Sequence, residues 1–234
     1  MTFFLGLDLG QAADPTALAV LERQMPPAVP PPPRRERVMV IDGLRHSIMP
    51  DPPPDPAGVA AFHCRHLERL KLGTPYPAVA DHVARVLDTP ALRGGTELVV
   101  DATGVGRPVV DMLRQRGLEC RAITITGGDQ AAFEPGGWRV PKRDLVGAVQ
   151  VLLQTERLKF AAEIPAVPIL VQEFMAFRVK IDPLTAHDSY GSWRDGAHDD
   201  MVLAVAIAAW WGLRWHEPAP FRHGIGSRSF VSPG

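Results

Sequence analysis

Four aspartates stand where the chain offers least reason for a charge. Asp8 interrupts the apolar run Leu7-Asp8-Leu9, and Asp101 closes Leu98-Val99-Val100. Asp199 and Asp200 open the most apolar stretch of the molecule, residues 199–215. A carboxylate in apolar surroundings costs several kcal/mol unless its charge is answered. No Arg or Lys among their sequence neighbours is equally well placed to answer it, so the pattern points to a divalent cation. Hard oxygen donors select Mg²⁺ or Mn²⁺ over zinc. Two such ions about 3.5–4 Å apart activate a water and stabilise the leaving oxygen in phosphodiester hydrolysis. The plain alternative for each aspartate is a capping or turn residue. It suits Asp200, at a helix start, better than Asp8, inside a strand.

Aspartates so far apart in sequence converge only if a sheet brings their ends together. The sequence predicts such a sheet. Residues 3–9 and 16–22 read as two strands joined by a turn at Ala12-Ala13-Asp14-Pro15, and 37–46 as a third, antiparallel to them. The proline clusters at 26–33 and 50–56 read as loops, because they remove backbone donors and favour extended segments. From residue 59 the period becomes helical, predicting helices over 59–70 and 77–87. A strand over 97–101 leads through a glycine turn into a helix that begins near Pro108 and ends at Gly117. Further strands are expected at 121–126 and 158–160, helices at 142–154 and 167–177, and edge strands at 177–181 and 189–193. Residues 199–215 predict a helix buried on nearly all sides. Strands first, then strands alternating with helices, imply an α/β fold: a mixed sheet of about five strands with helices on both faces. Residues 1–215 form one domain in this reading, and 216–234 a flexible tail.

Composition sets the outer bounds. The 234 residues carry 25 basic and 26 acidic side chains, a net charge of -1, which excludes a polybasic nucleic-acid binder but not a local basic patch. Two cysteines, Cys64 and Cys120, are too few for a disulfide scaffold and fit a reducing compartment. No basic, apolar N-terminal leader is present, and the longest apolar run is too short to span a bilayer. A cytoplasmic protein is expected.

The segments that carry the aspartates also carry a resemblance. Leu5-Gly-Leu-Asp8-Leu-Gly-Gln-Ala-Ala-Asp14-Pro-Thr, Val99-Val-Asp101-Ala-Thr-Gly-Val-Gly, Trp138-Arg-Val-Pro-Lys142-Arg-Asp144 and Gly196-Ala-His198-Asp199-Asp200 occur in that order. Together, over residues 3–213, they resemble the nuclease domain of phage terminase large subunits. Those domains have a ribonuclease H-like fold and cut concatemeric DNA during packaging. The resemblance implies a two-metal endonuclease using Mg²⁺ or Mn²⁺. Asp8 would be the bridging ligand, with Asp101 and Asp199 completing the set, Asp200 assisting and Asp14 standing near the metals. Lys142, Arg143 and Arg139 would contact double-stranded DNA, with Arg178 and Lys180 as further candidates. His198 would position water or a phosphate, or be an ordinary helix-start residue.

Large terminases also carry an ATPase domain, yet no G-x-x-x-x-G-K-[ST] occurs here. That implies an isolated domain or a fragment, partnered by a separate terminase ATPase, small subunit or portal. Two other classes compete. Gly6-Leu-Asp8-Leu-Gly10 also resembles the first phosphate loop of actin-like ATPases and sugar kinases, though one lobe of that fold would be missing. An inactive, prophage-derived DNA-binding module would keep the fold without turnover.

Overall fold

A computed structural model of the chain describes residues 1–10, 14–25, 37–41, 44–48, 59–104, 106–181, 188–192 and 198–215. The proline clusters, the turn at 11–13 and the expected tail at 216–234 lie outside the described residues. Strands β1 (Thr2–Asp8) and β2 (Ala17–Gln24) pair antiparallel, with Asp8 opposite Ala17. The expected third strand is instead a separate hairpin, β3 (Arg37–Ile41) with β4 (Leu44–Ile48).

The true third strand of the sheet is β5 (Ala61–Arg69), where the sequence predicts a helix. The physical reason is a bulge. Val20 faces His66 and Leu21 faces Cys64, so Arg65 is an extra residue on β5. It changes the inward step from two residues to three, and Phe62, Cys64 and Leu67 all reach the same core. Apolar residues at such uneven spacing imitate one face of a helix.

Beyond β5 the expected alternation holds. Helix α1 (Tyr76–Leu87), strand β6 (Thr96–Asp101), helix α2 (Gly106–Gln115) and strand β7 (Cys120–Thr126) follow in turn. A short hairpin of β8 (Ala132–Glu134) and β9 (Gly137–Pro141), missed in the sequence, precedes α3 (Lys142–Gln154). Then come β10 (Leu158–Phe160), α4 (Val167–Ala176), the pair β11 (Phe177–Ile181) and β12 (Asp188–Ser192), and α5 (Asp200–Arg214). The pair β11–β12 forms its own two-stranded sheet rather than an edge of the main one.

The main sheet has eight strands, more than the five expected, in the order β10-β5-β2-β1-β6-β7-β9-β8. Its centre, β1-β6-β7-β9, is parallel, and its flank β1-β2-β5 antiparallel. One face packs α1 and α2 through Val79, Val83, Val109 and Leu113. The other packs α3, α4 and α5 through Leu145, Leu152, Leu170 and the whole apolar length of α5. Among the described residues no helix is long and apolar enough to cross a membrane.

Candidate active site

Two features of the fold bring the aspartates together. Strands β1 and β6 are adjacent and parallel, with Leu7 beside Val100, so Asp8 and Asp101 emerge at the same end. Helix α5 lies directly on β1: a Cβ at Gly6 would meet the Ala204 carbonyl at 2.0 Å and the Ala208 Cβ at 3.0 Å. Only glycine permits that approach. It sets the start of α5, with Asp199 at its N-cap and Asp200 in its first turn, over the same sheet end. The charges of Asp101, Asp199 and Asp200 all act on Asp8.

Asp8 and Asp101 form the inner pair. Their exposures are 8% and 9%, and the two carboxyl groups hydrogen bond to each other. Burial pushes Asp8 well above the ordinary carboxylate range, and the charges of Asp101, Asp199 and Asp200 push it further. Burial also raises Asp101, against two hydrogen bonds from Thr103, one from Asp8 and the charge of Lys142.

Asp199 and Asp200 are neighbours in sequence and differ in surroundings. Arg69, at the end of β5, grips Asp200 with both arms, Nε to Oδ2 at 2.7 Å and Nη2 to Oδ1 at 3.1 Å. The same Nη2 also donates to Glu173 Oε1. Glu173, on α4, accepts the Val202 N–H at 3.2 Å, one of the unpaired donors at the start of α5. Burial and the charge of Asp200 push Glu173 up to about 7 even so, and burial raises Asp200 as well. Lys142 Nζ donates to Asp199 Oδ2 at 2.9 Å.

These contacts correct one sequence expectation. Arg69 and Lys142 answer Asp200 and Asp199, though neither is a sequence neighbour of either carboxylate. Lys142, expected to contact DNA, is paired with Asp199 within the chain. Among the described residues no three His, Cys, Asp or Glu side chains already converge in coordinating geometry.

The remaining candidates are scattered around this centre. His198 Nδ1 lies 3.6 Å from Asp14 Oδ1, beside the end of β1. Arg143 pairs with Asp129 at 2.9 Å, and Arg139 with Glu134 at 3.2 Å, so both expected DNA contacts are engaged within the chain. Arg178 and Lys180 belong to β11, and their side chains lie outside the described residues. The sequence reading missed Arg69, Glu173 and Thr103. It also missed two exposed cations at this end, Lys71 after β5 and Arg107 at the start of α2, which have no ion pair among the described residues. Lys71 lines a cavity of about 180 Å³ with Gly10, Asp14, Thr16, Thr74 and Tyr76. Gly10 is not free to cradle a phosphate with its own amide: it donates to Thr16 Oγ1 at 3.1 Å, and its carbonyl accepts the Tyr76 hydroxyl.

No protein-family model and no curated protein sequence matches the chain. Solved structures do. The large terminase nuclease of thermophilic phage G20c aligns over 88% of this chain and 80% of that one, at 18% identity and a TM-score of 0.52. The same nuclease with bound zinc aligns over 88% and 79%, at 17% identity and a TM-score of 0.46. The large terminase nuclease domain of bacteriophage SPP1 with bound manganese aligns over 92% and 86%, at 12% identity and 0.46. At such identities the first of these establishes a common fold.

Proposed function

The chain has the ribonuclease H-like fold of a large terminase nuclease domain, and from that premise we propose that it is a divalent-metal-dependent endonuclease of double-stranded DNA. One observation carries the reading: Asp8 and Asp101 are buried side by side at parallel strand ends, and among the described residues no Arg or Lys pairs with Asp8. Scaffold carboxylates at such depth are paired, as Asp200 is with Arg69.

The residues fit a hard dication. Asp8, Asp101 and Asp199 offer oxygen donors only, and their mutual repulsion is what a dication relieves. When bound, two such ions would supply an activated water and neutralise the leaving oxygen. Asp8 from β1, Asp101 from β6 and Asp199 from the N-cap of α5 would hold them. Lys142 would leave Asp199 for a DNA phosphate. Asp200, held by Arg69, would fix the start of α5 rather than ligate. His198 and Asp14 would stand at the edge of the site.

Since base edges are read in the grooves and phosphates carry no sequence information, contacts of this kind predict cutting with little sequence preference. The test is incubation of the folded chain with supercoiled plasmid at low salt, with Mn²⁺, Mg²⁺ or EDTA. Nicked and linear products with metal, and none with EDTA, are expected. Intact plasmid with Mn²⁺ would defeat the nuclease reading and favour a binding module without turnover.

A further inference from the structure

We propose that Thr103 is a positioning residue of the metal site: it fixes the Asp101 carboxylate by one oxygen and leaves the other to ligate. The inference rests on the reading of Asp101 as a metal ligand. Thr103 lies two residues past Asp101, in the turn between β6 and α2. Its backbone N–H donates to Asp101 Oδ1 at 2.8 Å, and its hydroxyl donates to the same oxygen. Oδ1 therefore has both of its lone pairs engaged. Thr103 makes no hydrogen bond to Oδ2.

The hydroxyl has a second contact. Its oxygen accepts the Ile125 N–H of β7 at 2.8 Å. The paired register of β6 and β7 ends at Asp101 beside Ile123, and Ala102 N–H still reaches the Ile123 carbonyl at 2.7 Å. Beyond that point the Thr103 side chain, rather than the β6 backbone, receives the next donor of β7. The two strands can then diverge past Asp101 without leaving that amide unpaired.

The backbone around the turn supports the same placement. Helix α2 begins against Asp101: a Cβ on Gly106 would lie 2.4 Å from the Asp101 carbonyl. The Asp101 backbone is thus fixed by the start of α2, and its carboxylate by Thr103. A ligand oxygen fixed by outer partners needs less ordering when the ion arrives. Loss of such a partner typically weakens metal binding 10–100-fold. Among the described residues no comparable donor is fixed on Asp8. Thr103 therefore sets the geometry of the pair from one side only.

The experiment compares Thr103→Val, Thr103→Ala and Thr103→Ser with wild type, titrating Mn²⁺ alone by calorimetry and by the paramagnetic resonance of free Mn²⁺. Both hydroxyl-free variants should bind Mn²⁺ at least about tenfold more weakly. Thr103→Ser keeps the hydroxyl and should stay within about threefold of wild type. The Ala variant carries the test if Val does not fold. A Val or Ala variant that binds Mn²⁺ with wild-type affinity overturns the proposal, whatever its melting temperature, since a merely structural role lowers stability alone. A Ser variant as weak as Val overturns it too, because the hydroxyl would then not be the cause. Wild type that takes up no Mn²⁺ would defeat the nuclease reading as well. Wild type that binds beside an unaffected Val variant would defeat only the role of Thr103.

Discussion

Two carboxylate groups meet at one end of the sheet and are treated in opposite ways. Asp200 and Glu173 are buried together, and a single arginine bridges them. Asp8 and Asp101 are buried as well, and among the described residues no arginine bridges them, while the charge of Lys142 acts on Asp101. An arginine fork holds two carboxylates in a defined geometry and leaves little room for an ion. Two crowded carboxyl groups without such a fork repel each other and leave room for a cation. One group holds α5 in place, and the other keeps a site open. The residue type is the same in both, so the partner decides the role.

The largest effects should come from breaking each group in turn. Asp8→Asn and Asp101→Asn should each abolish cutting and leave the metal-free melting temperature unchanged or slightly raised, because a repulsive charge is removed while size is kept. Arg69→Met should do the reverse to stability and cost about 3–5 kcal/mol, since it leaves two buried carboxylates without their cation. Mn²⁺ should raise the melting temperature of wild type by mass action, and that of the Asp8 variant much less. Melting curves in EDTA and in Mn²⁺ decide the matter. An Asp8→Asn protein that melts well below wild type in EDTA, yet responds fully to Mn²⁺, would make Asp8 scaffold.

The open group was legible in the sequence, and of the clamped one only Asp200 was. Asp8 and Asp101 each end an apolar run, and a charge in such a place is visible locally. Arg69 is separated from Asp200 by 131 residues and from Glu173 by 104. It also falls in β5, whose bulge makes 59–70 read as a helix. Misreading that one strand hid both the third strand of the sheet and the cation at its end. The helix at 142–154 and the strand at 158–160 were found to the residue, because there the apolar period is unbroken. The hairpin of β8 and β9 escaped because β8 is exposed throughout and β9 buries only its last two residues, so neither shows an apolar alternation. Thr103 left only its place beside Asp101 in sequence, and threonines near turns are commonplace.

The clamp can be examined more finely by pH. Glu173 titrates near 7 in the folded chain against an ordinary value of 4.5. Folding stability from this group is therefore complete below pH 4.5, falls as pH rises toward 7, and is flat beyond. At about 1.4 kcal/mol per pKa unit, the loss across that window is about 3 kcal/mol. Asp8, Asp101 and Asp200 are raised as well and act in the same direction, so wild type alone cannot isolate Glu173. Glu173→Gln can. The variant should match wild type near pH 4 and exceed it by up to about 3 kcal/mol at pH 8, as read from urea melts at both values. If the difference between the two proteins does not change with pH, Arg69 fully answers both acids, and the clamp is tighter than burial suggests.

The smallest effect extends the same contrast to the cations. Arg139 and Arg143 each carry an acidic partner, whereas Lys71 and Arg107 have no ion pair among the described residues. A paired arginine brings almost no net charge to a phosphate, and the pair itself is worth only about 0–1 kcal/mol at an exposed position. An unpaired cation adds its full charge and displaces one condensed counterion from DNA. Each phosphate so met contributes about 0.9 to the slope of log K against log salt for duplex DNA. In EDTA, where nothing is cut, Lys71→Gln and Arg107→Gln should each flatten that slope by about 0.9, while Arg139→Gln and Arg143→Gln should leave it nearly unchanged. Fluorescence anisotropy with a labelled duplex at four or more salt concentrations measures it. Should the arginines of α3 and β9 flatten the slope and Lys71 and Arg107 not, DNA would lie across the helix face rather than over the sheet end. The rule that separates the two carboxylate groups would then not hold for positive charge, because an ion pair at the surface would yield to a phosphate where the buried one at Arg69 does not.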